Sequence, residues 1–342
     1  MAVEGVSIAL WVVVTLVLVA LAFDFMNGFH DAANSIATVV STRVLTPYQA
    51  VALAAFFNFA ALFVFELKVA TTIGRGIVDQ GVVDHYLIFG ALVGAISWNV
   101  ITWWYGIPSS SSHALVGGLV GAAVAKAGTW ALIPPGIVKI VAFIFISPLL
   151  GMLMGALLML AVGWIFVRST PSHVDRWFRG LQLVSSSLYS LGHGANDAQK
   201  TAGVIWMLLI AAGYLGTKDP IPMWVVSACY ITIALGTLFG GWRIVNTMGK
   251  RITKLRPVGG FCAETGGAVT LFTTAAFGIP VSTTHTIAGA IVGVGTAHNI
   301  SAVRWGIAGT IVWAWILTIP CSAFIAGAAW YLGRMLLNPA AG

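Results

Sequence analysis

Stretches without Asp, Glu, Lys or Arg recur along the chain, among them residues 5–23, 86–125, 140–167, 201–217, 220–242, 265–303 and 305–333. Their apolar residues run continuously, whereas a membrane barrel would alternate apolar and polar positions. About 20 apolar residues span a bilayer core as a helix. The pattern predicts an all-α polytopic membrane protein with about 10–12 membrane segments. Two runs are too long for one crossing. As a single helix, residues 86–125 would reach about 60 Å, twice the hydrocarbon thickness, and 265–303 would do nearly the same. Gly-Ile-Pro lies near the middle of each. Proline lacks a backbone donor and disfavours helix in the residue before it. Each run is therefore expected to form a helix, a break and a second helix starting at the hydroxyl residues that follow. The long apolar run 181–213 holds "GHGAND" in its interior, which predicts a further break there.

The polar interruptions recur. "NGFHDAANS" (27–35) matches "HGANDAQKT" (193–201), and "GIPSSSSHALVGGLVG" (106–121) matches "GIPVSTTHTIAGAIVG" (278–293). Both pairs are offset by nearly half the chain and keep their order, which is the mark of an internal repeat. The expected organisation is an N-terminal repeat at 1–167, a basic cytoplasmic linker at 168–180 and a C-terminal repeat at 181–342. Broken helices at matching places in two halves, with both glycine-containing Asp motifs read as breaks, point to a transport site near the bilayer midplane.

Composition narrows the class. Hydrophobic residues make up 59% of the chain and charged residues 8%, against roughly 25% charged in a soluble domain. The net charge of +7 is not a nucleic-acid footprint. It gathers at Arg168, Arg176 and Arg179 and in "GKRITKLRP", and this places both loops on the cytoplasmic side. Ala20-Leu21-Ala22 resembles a signal cleavage site, but Glu4 stands where a signal peptide carries Lys or Arg. The segment reads as a retained first helix. Cys229, Cys262 and Cys321 lie in apolar spans and form no disulfide framework.

The chemistry sits in the repeated motifs. After each proline a new helix opens, and its first N–H groups lack partners. Ser109, Ser110, Ser111 and Ser112, with Ser282, Thr283 and Thr284, can cap those groups or donate to a ligand. Helix N-termini favour anions, and two of them facing each other would make a tetrahedral-oxyanion site. Asp31 and Asp197 occupy equivalent places inside apolar spans, where acids are costly and mark ion pathways. With Asn27, Ser35, Thr201 and Gln199 nearby, they suit sodium or, with a raised pKa, a proton, while Asn34 and Asn196 are expected to join the anion site. Glu264 is a further intramembrane acid, and Asp24 lies one turn before Gly28 without a repeat mate. Lys200 can pair with a motif carboxylate or snorkel to the interface. His113 and His285 follow the hydroxyls, either as core residues or beside the anion site. His30 and His193 share a motif but not a column, so the sequence singles out no zinc site. Hydrolysis would need one asymmetric nucleophile and base. Here every element appears twice, which argues against an enzyme.

"NGFHDAANSIATVVSTR", "LGHGANDAQKTAG", "GIPSSSSHALVGGLVGAA", "GIPVSTTHT" and "LGTLFGGWRIVNTMG" together resemble the inorganic phosphate transporter (Pit) family in its compact bacterial form, from about residue 20 to 300. The resemblance implies a multi-pass inner-membrane symporter with inverted repeats and two re-entrant helical hairpins. It would move orthophosphate with sodium or protons, without a cofactor and as a homodimer. It also implies that Asp31 and Asp197 are the signature acids, that the Ser109–Ser112 and Ser282–Thr284 runs bind the anion, and that Glu264 is the late acid. Sodium-coupled relatives carry Glu where this chain has Asn58, which bears on the coupling ion. Sulfate or another tetrahedral oxyanion is the alternative substrate.

Overall fold

The computed structural model describes residues 8–337, so Glu4 lies outside the described residues. Twelve α-helices carry the described chain. The first six are α1 (Leu10–Ser41), α2 (Pro47–Ala60), α3 (Lys68–Gly76), α4 (His85–Tyr105), α5 (Ser111–Ala127) and α6 (Pro134–Ile165). The second six are α7 (Pro171–Ala211), α8 (Met223–Phe239), α9 (Trp242–Asn246), α10 (Pro257–Ala276), α11 (Thr283–His298) and α12 (Trp305–Leu337). The described residues form no strand beyond an isolated bridge between Val78 and Leu132. By length and composition four helices are long and apolar enough to cross a membrane, or up to six counting two bent pairs.

The halves repeat element by element. In each, a long helix carries the Asp motif and a bent pair follows, turning by 80° in the first half and 62° in the second. A helical hairpin comes next, and a long helix with an interior proline (Pro148, Pro320) closes each half. The hairpins form where the Gly-Ile-Pro motifs predict. Gly106 and Gly278 take the left-handed conformation, at φ 66° and 62°. Around them Ile107 N–H reaches Thr102 O at 2.9 Å and Ile279 N–H reaches Thr274 O at 2.8 Å, the same helix-ending bond in both halves. The following proline stops the helix from continuing.

Two expectations fail. The Asp motifs do not interrupt their helices: α1 runs unbroken for 32 residues and α7 for 41. The glycines that suggested a break serve close crossing instead. A Cβ on Gly28 would lie 2.2 Å from the Ile233 carbonyl of α8, and one on Gly194 would lie 2.4 Å from that of Asn58 on α2. The broken helices are the bent pairs and the hairpins. In addition, residues 171–180 open α7 rather than forming a separate linker.

Packing crosses between halves. The α4–α5 hairpin lies on α12, and α11 lies on α6. Small residues permit this: a Cβ on Gly121 would come within 2.1 Å of the Ala323 carbonyl, and one on Gly293 within 2.0 Å of that of Met152. Large apolar side chains such as Leu149, Leu153, Leu157, Trp313 and Phe324 cover the outer faces of α6 and α12, as a hydrocarbon surrounding requires. The polar residues of the motifs are buried at the centre.

Candidate functional site

Helices α1 and α7 pass each other in opposite directions. Near the C-terminus of α1, Thr42 Oγ1 donates to Gln182 Oε1 near the start of α7, at 2.9 Å. Toward the other end, Thr201 Oγ1 of α7 donates to Asp24 Oδ1 of α1 at 2.7 Å. Asp31 and Asp197 meet between these points. One ligand atom each from Asp31, Asp197 and His193 fall within 4.8 Å of one another.

The hairpin tips close over the two acids. Ser110 and Ser282 are caps, accepting from His113 N–H at 3.2 Å and His285 N–H at 3.1 Å. The hydroxyls one place further reach the acids. Ser111 Oγ donates to Asp31 Oδ1 at 3.2 Å, and Thr283 Oγ1 donates to Asp197 Oδ2 at 3.2 Å. Ser112 lies 3.5 Å from Asp197 Oδ1. The Asn34 amide on α1 donates to Thr284 Oγ1 at 2.9 Å and Thr283 Oγ1 at 3.3 Å. Ser109 points elsewhere, donating to Thr102 Oγ1 at 2.8 Å. Thus two helix N-termini, three hydroxyls aimed at carboxylates and a bridging amide converge, wholly buried. Such an arrangement can hold an anion through N–H and O–H groups and a cation through carboxylate oxygens.

Lys200 pairs with a motif carboxylate rather than snorkelling. Its Nζ lies 2.6 Å from Asp197 Oδ1, 2.5 Å from Ser112 Oγ and 2.7 Å from the Val281 carbonyl, so it joins α7 to both hairpin tips. Asn58 stands one step behind the acids: its oxygen meets His193 Nδ1 at 3.1 Å and its amide donates to Thr237 at 2.9 Å. His193 Nε2 is 3.2 Å from Asp197 Oδ2. His30 Nδ1 is 2.7 Å from Asp31 Oδ1, and its Nε2 is 3.1 Å from Thr102 Oγ1. His113 and His285 meet edge-to-face at 4.6 Å, and His285 stacks on Trp315 at 4.0 Å.

Several candidates lie apart from the two acids. Thr201 is engaged with Asp24. The Asn196 amide donates to the Gly192 and Leu271 carbonyls. Asn27 and Ser35, by contrast, stand one helical turn before and after Asp31 on α1, and Asn27 Oδ1, Ser35 Oγ and Asp31 Oδ2 are buried without a hydrogen-bond partner. Gln199 holds the start of α3, accepting from Val69 and Ala70 N–H. Glu264 forms its own cluster, accepting from Thr38 at 2.5 Å, Ser185 at 2.5 Å and Gln182 at 3.2 Å. Sequence reasoning did not single out Thr102, Gln182, Ser185 or Tyr189, whose hydroxyl donates to the Thr283 carbonyl at 2.8 Å. For Gln182 and Ser185, polarity on a membrane helix face was the available signal. His30 and His193 were weighed only as metal ligands, and their place beside each signature acid was the clue.

Comparison with known proteins decides what kind of protein builds this centre. The phosphate transporter family matches residues 27–326, from the first Asp motif to the middle of α12. The chain belongs to this family. The "probable low-affinity inorganic phosphate transporter" of Rhizobium meliloti (strain 1021) is 60% identical, over 96% of this chain and 99% of that protein. Its namesake in Bacillus subtilis (strain 168) is 44% identical over the same shares. Among solved structures, "the sodium-dependent phosphate transporter" superposes with a TM-score of 0.85 at 26% identity, covering 96% of this chain and all of that one. This phosphate transporter family member is therefore an all-helical, multi-pass membrane transporter and no enzyme.

Proposed function

We propose that this transporter imports inorganic phosphate across the bacterial inner membrane together with a cation, by alternating access. The observation that carries the reading is the convergence of two equivalent hairpin tips on two equivalent aspartates. Phosphate needs a ring of donors. Ser111, Ser112, Thr283, Thr284 and Asn34 supply side-chain donors, and the N-termini of α5 and α11 supply backbone ones. Two carboxylates beside such a site repel an anion unless a cation or proton offsets them. Coupling therefore follows from the same residues that would otherwise hinder binding, with Asp31 and Asp197 taking the cation.

The antiparallel passage of α1 and α7 supports an inverted repeat, in which the two hairpins act as re-entrant gates. One gate opens to each side of the membrane while the other stays closed. Glu264, on the side where α1 ends and α7 begins, serves as a waypoint for the cation. The protein works as a homodimer, which the mass of the detergent-solubilised complex tests.

The deciding experiment is labelled phosphate uptake into proteoliposomes with sodium and proton gradients imposed separately. Uptake that continues at its full rate after all ion gradients collapse would make the protein a passive channel. Unlabelled sulfate should compete weakly. Orthophosphate near neutral pH carries a proton to donate, and the carboxylates and hydroxyl oxygens here can accept it, whereas sulfate carries none. Competition by sulfate equal to that by phosphate would favour a general oxyanion permease.

A further inference from the structure

The phosphate transport reading leaves one charge unused. Lys200 is 1% exposed, and its ammonium touches oxygen atoms only: a carboxylate (Asp197), a hydroxyl (Ser112) and the Val281 carbonyl at the break between α10 and α11. Carboxylate, hydroxyl and free carbonyl oxygens at a helix break are the donor set expected around a bound alkali cation. Here that shell encloses an amine tethered to α7.

We infer that Lys200 is a built-in replacement for a sodium ion at the junction of the two hairpin tips, so that phosphate uptake by this protein requires no sodium. The inference rests on the transport reading above. Three features of the site support it. First, the ammonium occupies Asp197 Oδ1 while Thr283 donates to Oδ2, so both oxygens are engaged. A sodium ion added there would share one carboxylate with a fixed positive charge. Second, the bonds tie both tips to α7, the bridging that a mobile ion would otherwise provide. Third, Asn58, one residue removed from Asp197 through His193, is a neutral amide and adds no negative charge to draw in a second cation. In the sodium-dependent neighbour, which shares this fold at 26% identity, the ion is named as a requirement. In this chain a residue supplies the equivalent charge.

The test uses purified full-length protein in proteoliposomes, with labelled phosphate and either sodium or choline as the external cation. Wild type should take up phosphate equally in both media. Lys200→Asn removes the tethered charge and leaves an oxygen ligand. Its uptake in choline should fall roughly tenfold or more, as expected for breaking a buried ion pair, and should rise when sodium replaces choline. Sodium should also raise the melting temperature of Lys200→Asn and leave that of wild type unchanged. Lys200→Met offers no oxygen and should respond to sodium in neither assay. Wild-type uptake that collapses in choline overturns the inference, as does Lys200→Asn behaving identically in sodium and choline. If Lys200→Asn cannot be purified, the wild-type comparison decides alone. Absence of phosphate uptake by wild type in every medium would instead sink the transport reading.

Discussion

Replacing Asp197 by Asn tests the electrostatic core directly. In the wild-type protein this carboxylate takes a 2.6 Å bond from Lys200, a 3.2 Å bond from Thr283 and a close approach from His193, all away from solvent. The amide keeps the shape and removes the charge, so Lys200 is left buried without its counter-ion. Breaking a buried pair by removing one partner costs about 3–5 kcal/mol. Unfolding entropy near 2.1 cal/mol/K per residue gives about 0.7 kcal/mol/K over 342 residues, so the melting temperature should drop by about 4–7 °C. The double variant Asp197→Asn/Lys200→Met removes both charges and should recover most of that loss, because a neutral pair of similar volume needs no solvation. Phosphate uptake should stay abolished in both proteins. Differential scanning fluorimetry in detergent and labelled uptake in proteoliposomes provide the two readouts. A single variant that melts and transports as wild type would refute the account. A double variant whose loss is the sum of the two single losses would show that the pair is not coupled.

The other predictions concern the parts around this pair. Ser110→Ala and Ser282→Ala each remove a buried N-cap and should cost about 1 kcal/mol, or roughly 1–2 °C in melting temperature; no shift in either protein would mean the caps are dispensable. Asn34→Ala deletes the amide that bridges α1 to Thr283 and Thr284, and should weaken apparent phosphate affinity about tenfold or more, read as a rise in KM. Gly293→Ala puts a methyl group 2.0 Å from the Met152 carbonyl and should lower the yield of folded protein. Gly163→Ala on α6 meets nothing within 4 Å and should be neutral or raise stability by roughly 0.5–1 kcal/mol.

The repeat carried most of what could be foreseen. The two Gly-Ile-Pro motifs placed both hairpin turns, because an αL glycine followed by proline leaves a helix no way to continue. The hydroxyls after them were foreseen as a group, but which would cap and which would reach the acids depends on helical phase. The structure gives Ser110 and Ser282 the first task, and Ser111 and Thr283 the second. Gly28 and Gly194 misled, because a glycine that loosens a helix and one that lets two helices touch look alike in sequence. Only the Ile233 and Asn58 carbonyls facing them distinguish the cases. The roles of His30 and Glu264 were also hidden. Their partners come from helices far off in sequence, Thr102 for the first, and Thr38, Gln182 and Ser185 for the second.

The exchange of hairpins between halves bears on how the chain is made. When the first six helices have entered the membrane, α5 still lacks the surface that Gly117 and Gly121 fit, since that surface is on α12, which is made after the other eleven described helices. Until then the groove on α5 faces lipid or the insertion machinery. The two halves should therefore fail when expressed singly and recover only when produced together. A chain ended before residue 305 would be recognised by membrane quality control as unfinished.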